Sequence, residues 1–198
     1  MKKVLLLIFP NFAEFEITVA TSLLRANHQV VTVALQKDPL AGESGLQFLP
    51  HLAISEVNPD EYEAIIVPGG DLEALAEAYP LFALVQAMQE KGKIVAAICS
   101  GGFVVAKAGL LEKRPYTVTL SSEQRRFLGI PETGFRYEPL IEVDNIITAQ
   151  GHAYVEFGLR VAERLGIQNI ERARHFFTGK GNQVMEVGLY KVESKDEN

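Results

Sequence analysis

Ile94-Val95-Ala96-Ala97-Ile98-Cys99-Ser100-Gly101-Gly102 runs from an unbroken apolar segment into the chain's single cysteine and a pair of glycines. Continuous rather than alternating apolarity suits a parallel strand covered by helices on both faces. Ala97 and Gly101 flank the cysteine with small side chains, so the strand can reverse sharply into a helix without collision. The pattern resembles the elbow G-x-S-x-G, with Ala97 in the first glycine position and Cys99 in place of serine. Such a turn tends to hold its nucleophile in a strained backbone conformation.

Outward from this stretch, similar short apolar runs occur at Val4 to Phe9, Gln29 to Leu35, Ala64 to Val67, Thr117 to Leu120 and Ile146 to Thr148, and each predicts a strand. Helical spacing falls between them. Ala13, Ile17, Ala20 and Leu24 form one stripe, and further helices are expected near Leu81 to Lys91, Gly101 to Ala108, Ser122 to Leu128, Tyr154 to Leu165 and Ile170 to Phe177. The alternation predicts an α/β domain with a mainly parallel central sheet. Pro39 to Gly45 and Gly129 to Tyr137 read as loops, the second with room for an antiparallel edge hairpin. One domain is expected over residues 1–189, and the charged stretch 190–198 reads as a frayed tail.

Composition narrows the function. Of 198 residues 47% are hydrophobic and 22% charged, values of an ordinary globular chain. A formal charge of -6 leaves no global positive field, so nucleic acid is not an expected partner. Arg172, Arg174 and His175 read as the solvated face of a helix. The apolar run after Met1-Lys2-Lys3 is the length of a buried strand and is followed by Pro10, Glu14 and Glu16, which argues against a signal peptide. No stretch reaches the length needed to span a bilayer. One cysteine forms no intrachain disulfide, and a reducing cytoplasm is the expected compartment.

In open parallel sheets ligands gather beyond the carboxyl ends of the strands. Three segments sit there: Pro68-Gly69-Gly70-Asp71, Cys99-Ser100-Gly101-Gly102 and Gly151-His152. A thiol at the start of a helix is expected to have a lowered pKa. Gly70 N–H and Ser100 N–H are candidate oxyanion donors over Cys99, with Gly69 beside them. Helical counting sets Glu16 toward the interior. Protonated, it donates to a thiolate; ionised, it acts as a base. Glu14 fits a helix-start surface position. His28, His51, His152 and His175 lack paired metal-ligand spacing, so no metal is expected, and no phosphate-loop or dinucleotide motif calls for a cofactor. His152 is the histidine nearest the candidate rim.

Glu16 in Ala13-Glu14-Phe15-Glu16-Ile17-Thr18, the run Ile65-Ile66-Val67-Pro68-Gly69-Gly70, the run Ala96-Ala97-Ile98-Cys99-Ser100-Gly101, Ala108-Gly109-Leu110-Leu111, and Thr148 through Phe157-Gly158-Leu159 follow one another in an order that resembles the DJ-1/PfpI (ThiJ/PfpI) family of the class I glutamine-amidotransferase-like superfamily. The resemblance covers about Lys2 to Gly179. It implies a flavodoxin-like three-layer α/β/α sandwich, usually homodimeric, with Cys99 as nucleophile or oxidation site, Glu16 as its hydrogen-bond partner, and Gly70 and Ser100 as backbone donors. The implied activities range over peptidase, glyoxalase or deglycase, isocyanide hydratase, redox-sensing and chaperone-like roles. Peptidase-like members carry a histidine directly after the cysteine, where this chain has Ser100. DJ-1-like glyoxalases carry one about twenty residues downstream, where it has Thr117-Val118-Thr119-Leu120. Two readings follow: Cys99 attacks a small aldehyde or dicarbonyl with Glu16 moving the proton, or Cys99 is oxidised to a sulfenic or sulfinic acid as a stress sensor.

Overall fold

The structure is a computed structural model, and it describes residues 1–180. The proposed tail 190–198 and the last residues of the expected domain lie outside the described residues.

Strands β1 (Lys2–Leu7), β2 (His28–Ala34), β3 (Leu40–Ala41), β4 (Gln47–Phe48), β5 (Leu52–Ala53), β6 (Tyr62–Val67), β7 (Ile94–Ile98), β8 (Leu140–Val143) and β9 (Ile146–Ala149) alternate with helices α1 (Thr18–Leu24), α2 (Tyr79–Glu90), α3 (Gly102–Lys107), α4 (Ser122–Phe127), α5 (Tyr154–Arg164) and α6 (Ile170–Thr178). Seven strands form the central sheet in the order β5-β2-β1-β6-β7-β9-β8. All pairs are parallel except β8 with β9. Its inner strands are apolar on both faces, and Leu5, Ile65, Ile66, Val95 and Ile147 are fully buried, as covering helices on both sides require.

The connections decide which face each helix covers. The β1-α1-β2 unit steps toward one edge, and β6-α2-β7 steps toward the other. Right-handed crossovers therefore put α1 and α2 on opposite faces. Helix α5 packs on α1, and α3 packs on α2. Gly158 of α5 lies against the backbone of Ala20, where an added Cβ would come within 2.7 Å of its nitrogen.

Strand order reverses between β1 and β6, the place where doubly wound sheets open a crevice beyond their carboxyl ends. The chain leaves β1 toward Glu16, β6 toward Gly69, β7 into Cys99 and β9 into Gly151. Four strand ends thus converge on one rim.

Three expectations need correction. Thr117 to Leu120 is not a strand. Thr117 N–H donates to Thr148 Oγ1 at 3.1 Å and Val118 carbonyl accepts from Gln150 Nε2 at 3.0 Å, so side chains replace the ladder that would have made one. The Gly129 to Tyr137 loop carries no hairpin; the antiparallel edge is β8 with β9, further along the chain. Pro39 to Gly45 is not loop alone, because β3 pairs antiparallel with β4 across it.

Candidate active site

Cys99 sits at φ 55°, a left-handed conformation uncommon for a side chain with a Cβ. Burial of Ala97 and Ile98 on one side and packing of Gly101 on the other hold it there. An added Cβ at Gly101 would lie 2.5 Å from the Pro68 carbonyl oxygen, so this turn has no room for a larger residue. Strain of this kind persists where the surroundings over-determine it.

Glu16 reaches the same point from a 3₁₀ turn, Glu14–Ile17, that precedes α1. Its side chain is 1% exposed, and Gly69 N–H donates to its Oε2 at 2.7 Å. The carboxyl shares a side-chain hydrogen bond with the Cys99 thiol. Gly69 and Gly151 close over this pair from two sides. A Cβ on Gly69 would stand 2.6 Å from Cys99 Cβ and 3.0 Å from Glu16 Oε2. On Gly151 it would stand 3.0 Å from Glu16 Oε1 and 3.2 Å from Cys99 Sγ. Only glycine leaves acid and sulfur room to meet.

The electrostatics run against the expectation of a lowered thiol pKa. Burial, then the charge of Glu16 and its hydrogen bond, push the Cys99 thiol up to about 11, outweighing donation from Ser100 N–H and the Thr119 hydroxyl. The helix-end argument fails because Cys99 opens a single 3₁₀ turn ahead of a six-residue helix, while a buried carboxyl lies in contact with it. Burial also raises Glu16, opposed by Gly69 N–H.

The two candidate oxyanion donors are already engaged. Ser100 N–H acts on the Cys99 sulfur, pulling the thiol pKa down. Gly70 N–H donates to Ser100 Oγ at 2.9 Å, and Ser100 Oγ donates back to the Gly70 carbonyl at 3.0 Å. A substrate oxygen bound by Gly70 must displace the serine hydroxyl. His152 follows Gly151, but its ring is exposed and makes no hydrogen bond among the described residues. No cluster of three metal-ligating side chains occurs among those residues.

Two groups escaped the sequence reading. Glu14 is buried, not a surface residue: Ser44 donates to it from both N–H and Oγ. Burial alone would raise its carboxyl, but the Ser44 bonds outweigh that and hold it below the usual range. This latches the β3-β4 hairpin beside the rim. Thr119 is the other. Its hydroxyl lies close enough to pull the Cys99 thiol pKa down, against burial and Glu16, and its backbone N–H donates to the Cys99 carbonyl at 3.3 Å. The sequence signal for Glu14 was weak, since two acidic residues at a helix start have an ordinary dipole explanation.

Beyond the pair, a cleft of 340 Å³ is lined by Gly70, Asp71, Ser100, Leu120, Gln124 and Phe127. A second, of 440 Å³, runs past Thr119, Leu120, Gln124, Arg125, Tyr137 and Gln150. Leu120 and Gln124 belong to both.

A cysteine at positive φ on a strand-to-helix elbow, faced by a buried glutamate at the carboxyl rim of a mostly parallel sheet, places the chain among α/β proteins of the elbow-cysteine type. The DJ-1/PfpI family model matches residues 2–164, and the chain belongs to that family. The deglycase TK1284 of Thermococcus kodakarensis is 31% identical over 60% of this chain and 73% of its own length. The glutathione-independent glyoxalase DJR-1.2 of Caenorhabditis elegans is 28% identical over 83% of this chain and 89% of its own. Among solved structures, a thiJ/pfpI family protein from Bacillus anthracis superposes with a TM-score of 0.82 at 22% identity, covering 93% of this chain and 94% of that one. No helix among the described residues is long and apolar enough to cross a membrane.

Proposed function

We propose that the protein converts small aldehydes or dicarbonyls through covalent chemistry at Cys99, with Glu16 as the proton carrier. The observation that carries this reading is the contact of a buried carboxyl with the elbow thiol, walled by two glycines. With the thiol pushed up to about 11, the resting pair holds its proton on sulfur, and attack is coupled to its removal.

With methylglyoxal the steps balance as follows. Sulfur bonds to the aldehyde carbon as the thiol proton passes to Glu16, and the carbonyl electron pair moves to oxygen. Glu16 returns that proton to the oxygen, giving a hemithioacetal. The carboxylate then removes the hydrogen from the former aldehyde carbon and passes it to the neighbouring ketone oxygen, giving an enediol; it next takes the proton of the first hydroxyl and delivers it to the adjacent carbon as the thioester carbonyl forms. The product is a thioester of lactate. Water cleaves it, releasing lactate and restoring the thiol, with no oxidant or second thiol consumed. Ser100 N–H faces the reacting sulfur, and Gly70 N–H becomes an oxygen donor once it exchanges Ser100 Oγ for substrate.

The relatives that bear the names deglycase and glyoxalase support this class of substrate. The rival reading, an oxidation sensor, would use the same sulfur but needs the free thiolate, which burial and the charge of Glu16 disfavour. Purified protein is expected to form lactate from methylglyoxal without glutathione, and Cys99→Ser to abolish it. Lactate no higher than in buffer would sink the proposal.

A further inference from the structure

Thr117, Thr119, Thr148 and Gln150 form a polar cluster that the mechanism above does not use, joined to the elbow where Thr119 N–H donates to the Cys99 carbonyl at 3.3 Å. We infer that Gln150 is a positioning residue which, through the Thr119 hydroxyl, keeps the proton on Cys99 until Glu16 removes it. The inference rests on Cys99 being the reacting sulfur, and it deepens that reading by naming what regulates the thiol.

The argument is an inventory of hydrogens. Gln150 is 2% exposed, so its amide must find partners inside the protein. Its two Nε2 hydrogens go to Thr117 Oγ1 at 2.6 Å and the Val118 carbonyl at 3.0 Å. Turning the amide over would set its oxygen against that carbonyl, so Oε1 is fixed as the acceptor. It faces Thr119 Oγ1 at 2.9 Å. Thr119 has one hydroxyl hydrogen, and Gln150 takes it. Gly151 N–H donates to the same Oγ1 at 2.9 Å, so with its own hydrogen held by Gln150 this oxygen has none left to offer a neighbouring thiolate. An oxygen in that state presents the negative end of its dipole and disfavours S⁻.

When the thiol proton moves to Glu16, the Thr119 hydrogen must swing from Gln150 to sulfur, and the buried amide oxygen loses its donor. Thr119 and Gln150 therefore act with opposite sign. The hydroxyl favours the thiolate by donating to it, and the amide opposes it by holding that hydrogen. The amide's own backbone is pinned, since Gln150 N–H donates to the Pro139 carbonyl at 2.9 Å. The charged group against the sulfur is Glu16, Glu43 of the β3-β4 hairpin acts on Glu16, and His152 on the turn after β9 is exposed.

The test is the pH dependence of Cys99 alkylation by iodoacetamide, which reads the thiol and needs no substrate. Gln150→Met, which removes the acceptor, is expected to lower the midpoint by roughly one pH unit, a tenfold change in the ionisation constant. Thr119→Val should raise it, Thr119→Ser should leave it at the wild-type value, and the double variant Thr119→Val with Gln150→Met should match Thr119→Val alone. No lowering by Gln150→Met, or the same lowering without the Thr119 hydroxyl, overturns the inference. If Gln150→Met does not fold, the threonine variants decide: equal midpoints for wild type and Thr119→Val overturn it, and a raised midpoint restored by serine supports it. Methylglyoxal turnover measured on the same samples is independent. Its absence beside the expected midpoints defeats the dicarbonyl reading while supporting the relay.

Discussion

The two ends of the central sheet solve opposite problems. At the amino ends of its strands the surface is charged, exposed and paired: Lys2 with Glu63 at 2.7 Å, Lys3 with Glu61 at 2.9 Å, Lys91 with Asp60 at 2.7 Å. The 520 Å³ hollow there, lined by Lys2, Glu63, Lys91, Lys93 and Arg164, is open to water. At the carboxyl ends a carboxyl is buried against a thiol, a residue with a Cβ is held at positive φ, and glycines leave no slack. Charge that is hydrated and screened costs little and does little. The same groups taken out of water are forced into mutual dependence, and that is where chemistry becomes available.

The contrast breaks first at the glycine walls. Gly69→Ala drives a methyl into the Cys99 Cβ and Glu16, and a misplacement of this size is expected to cost about a hundredfold in turnover. Steady-state kinetics beside a thermal melt that shows folded protein would check it; full activity would mean the contact is not needed.

Glu16→Gln sharpens the comparison through two effects of opposite sign. Removing the carboxylate charge takes away the second-largest cause of the raised thiol pKa, so the alkylation midpoint falls from about 11. Burial, the largest cause, remains, so the midpoint stays above the ordinary thiol value of about 8.5. Alkylation at pH 9 therefore speeds up while turnover, deprived of its proton carrier, drops. A variant whose midpoint rises would contradict the electrostatic account.

The smallest effect belongs to the other end. Lys91→Ala removes the exposed pair with Asp60 and is expected to leave both the thermal midpoint and the turnover within error of wild type. A clear loss of turnover would show that the amino end participates in function.

The same contrast explains what the sequence could say. Apolar runs identified β1, β6, β7 and β9, whose burial on both faces leaves a nearly unbroken signature, and β2, whose valines stand out despite its part-exposed positions. β5 with two residues and β8 with a half-buried pattern leave none. Cys99 and Glu16 were legible from elbow spacing and helical counting. The sign of the thiol's shift was not, because it depends on a contact across 83 positions of chain and on depth of burial. Thr119 and Gln150 were invisible for a related reason: threonine and glutamine are ordinary surface residues, and only the fold buries the amide against the threonine hydroxyl.

Glu14 and Glu16 occupy a single 3₁₀ turn, one carboxylate gripping the β3-β4 hairpin and the other touching the thiol. Hairpin and acid are consequently one lever, with the turn as its fulcrum. Loosening the outer arm, well away from the sulfur, is expected to disturb the inner one.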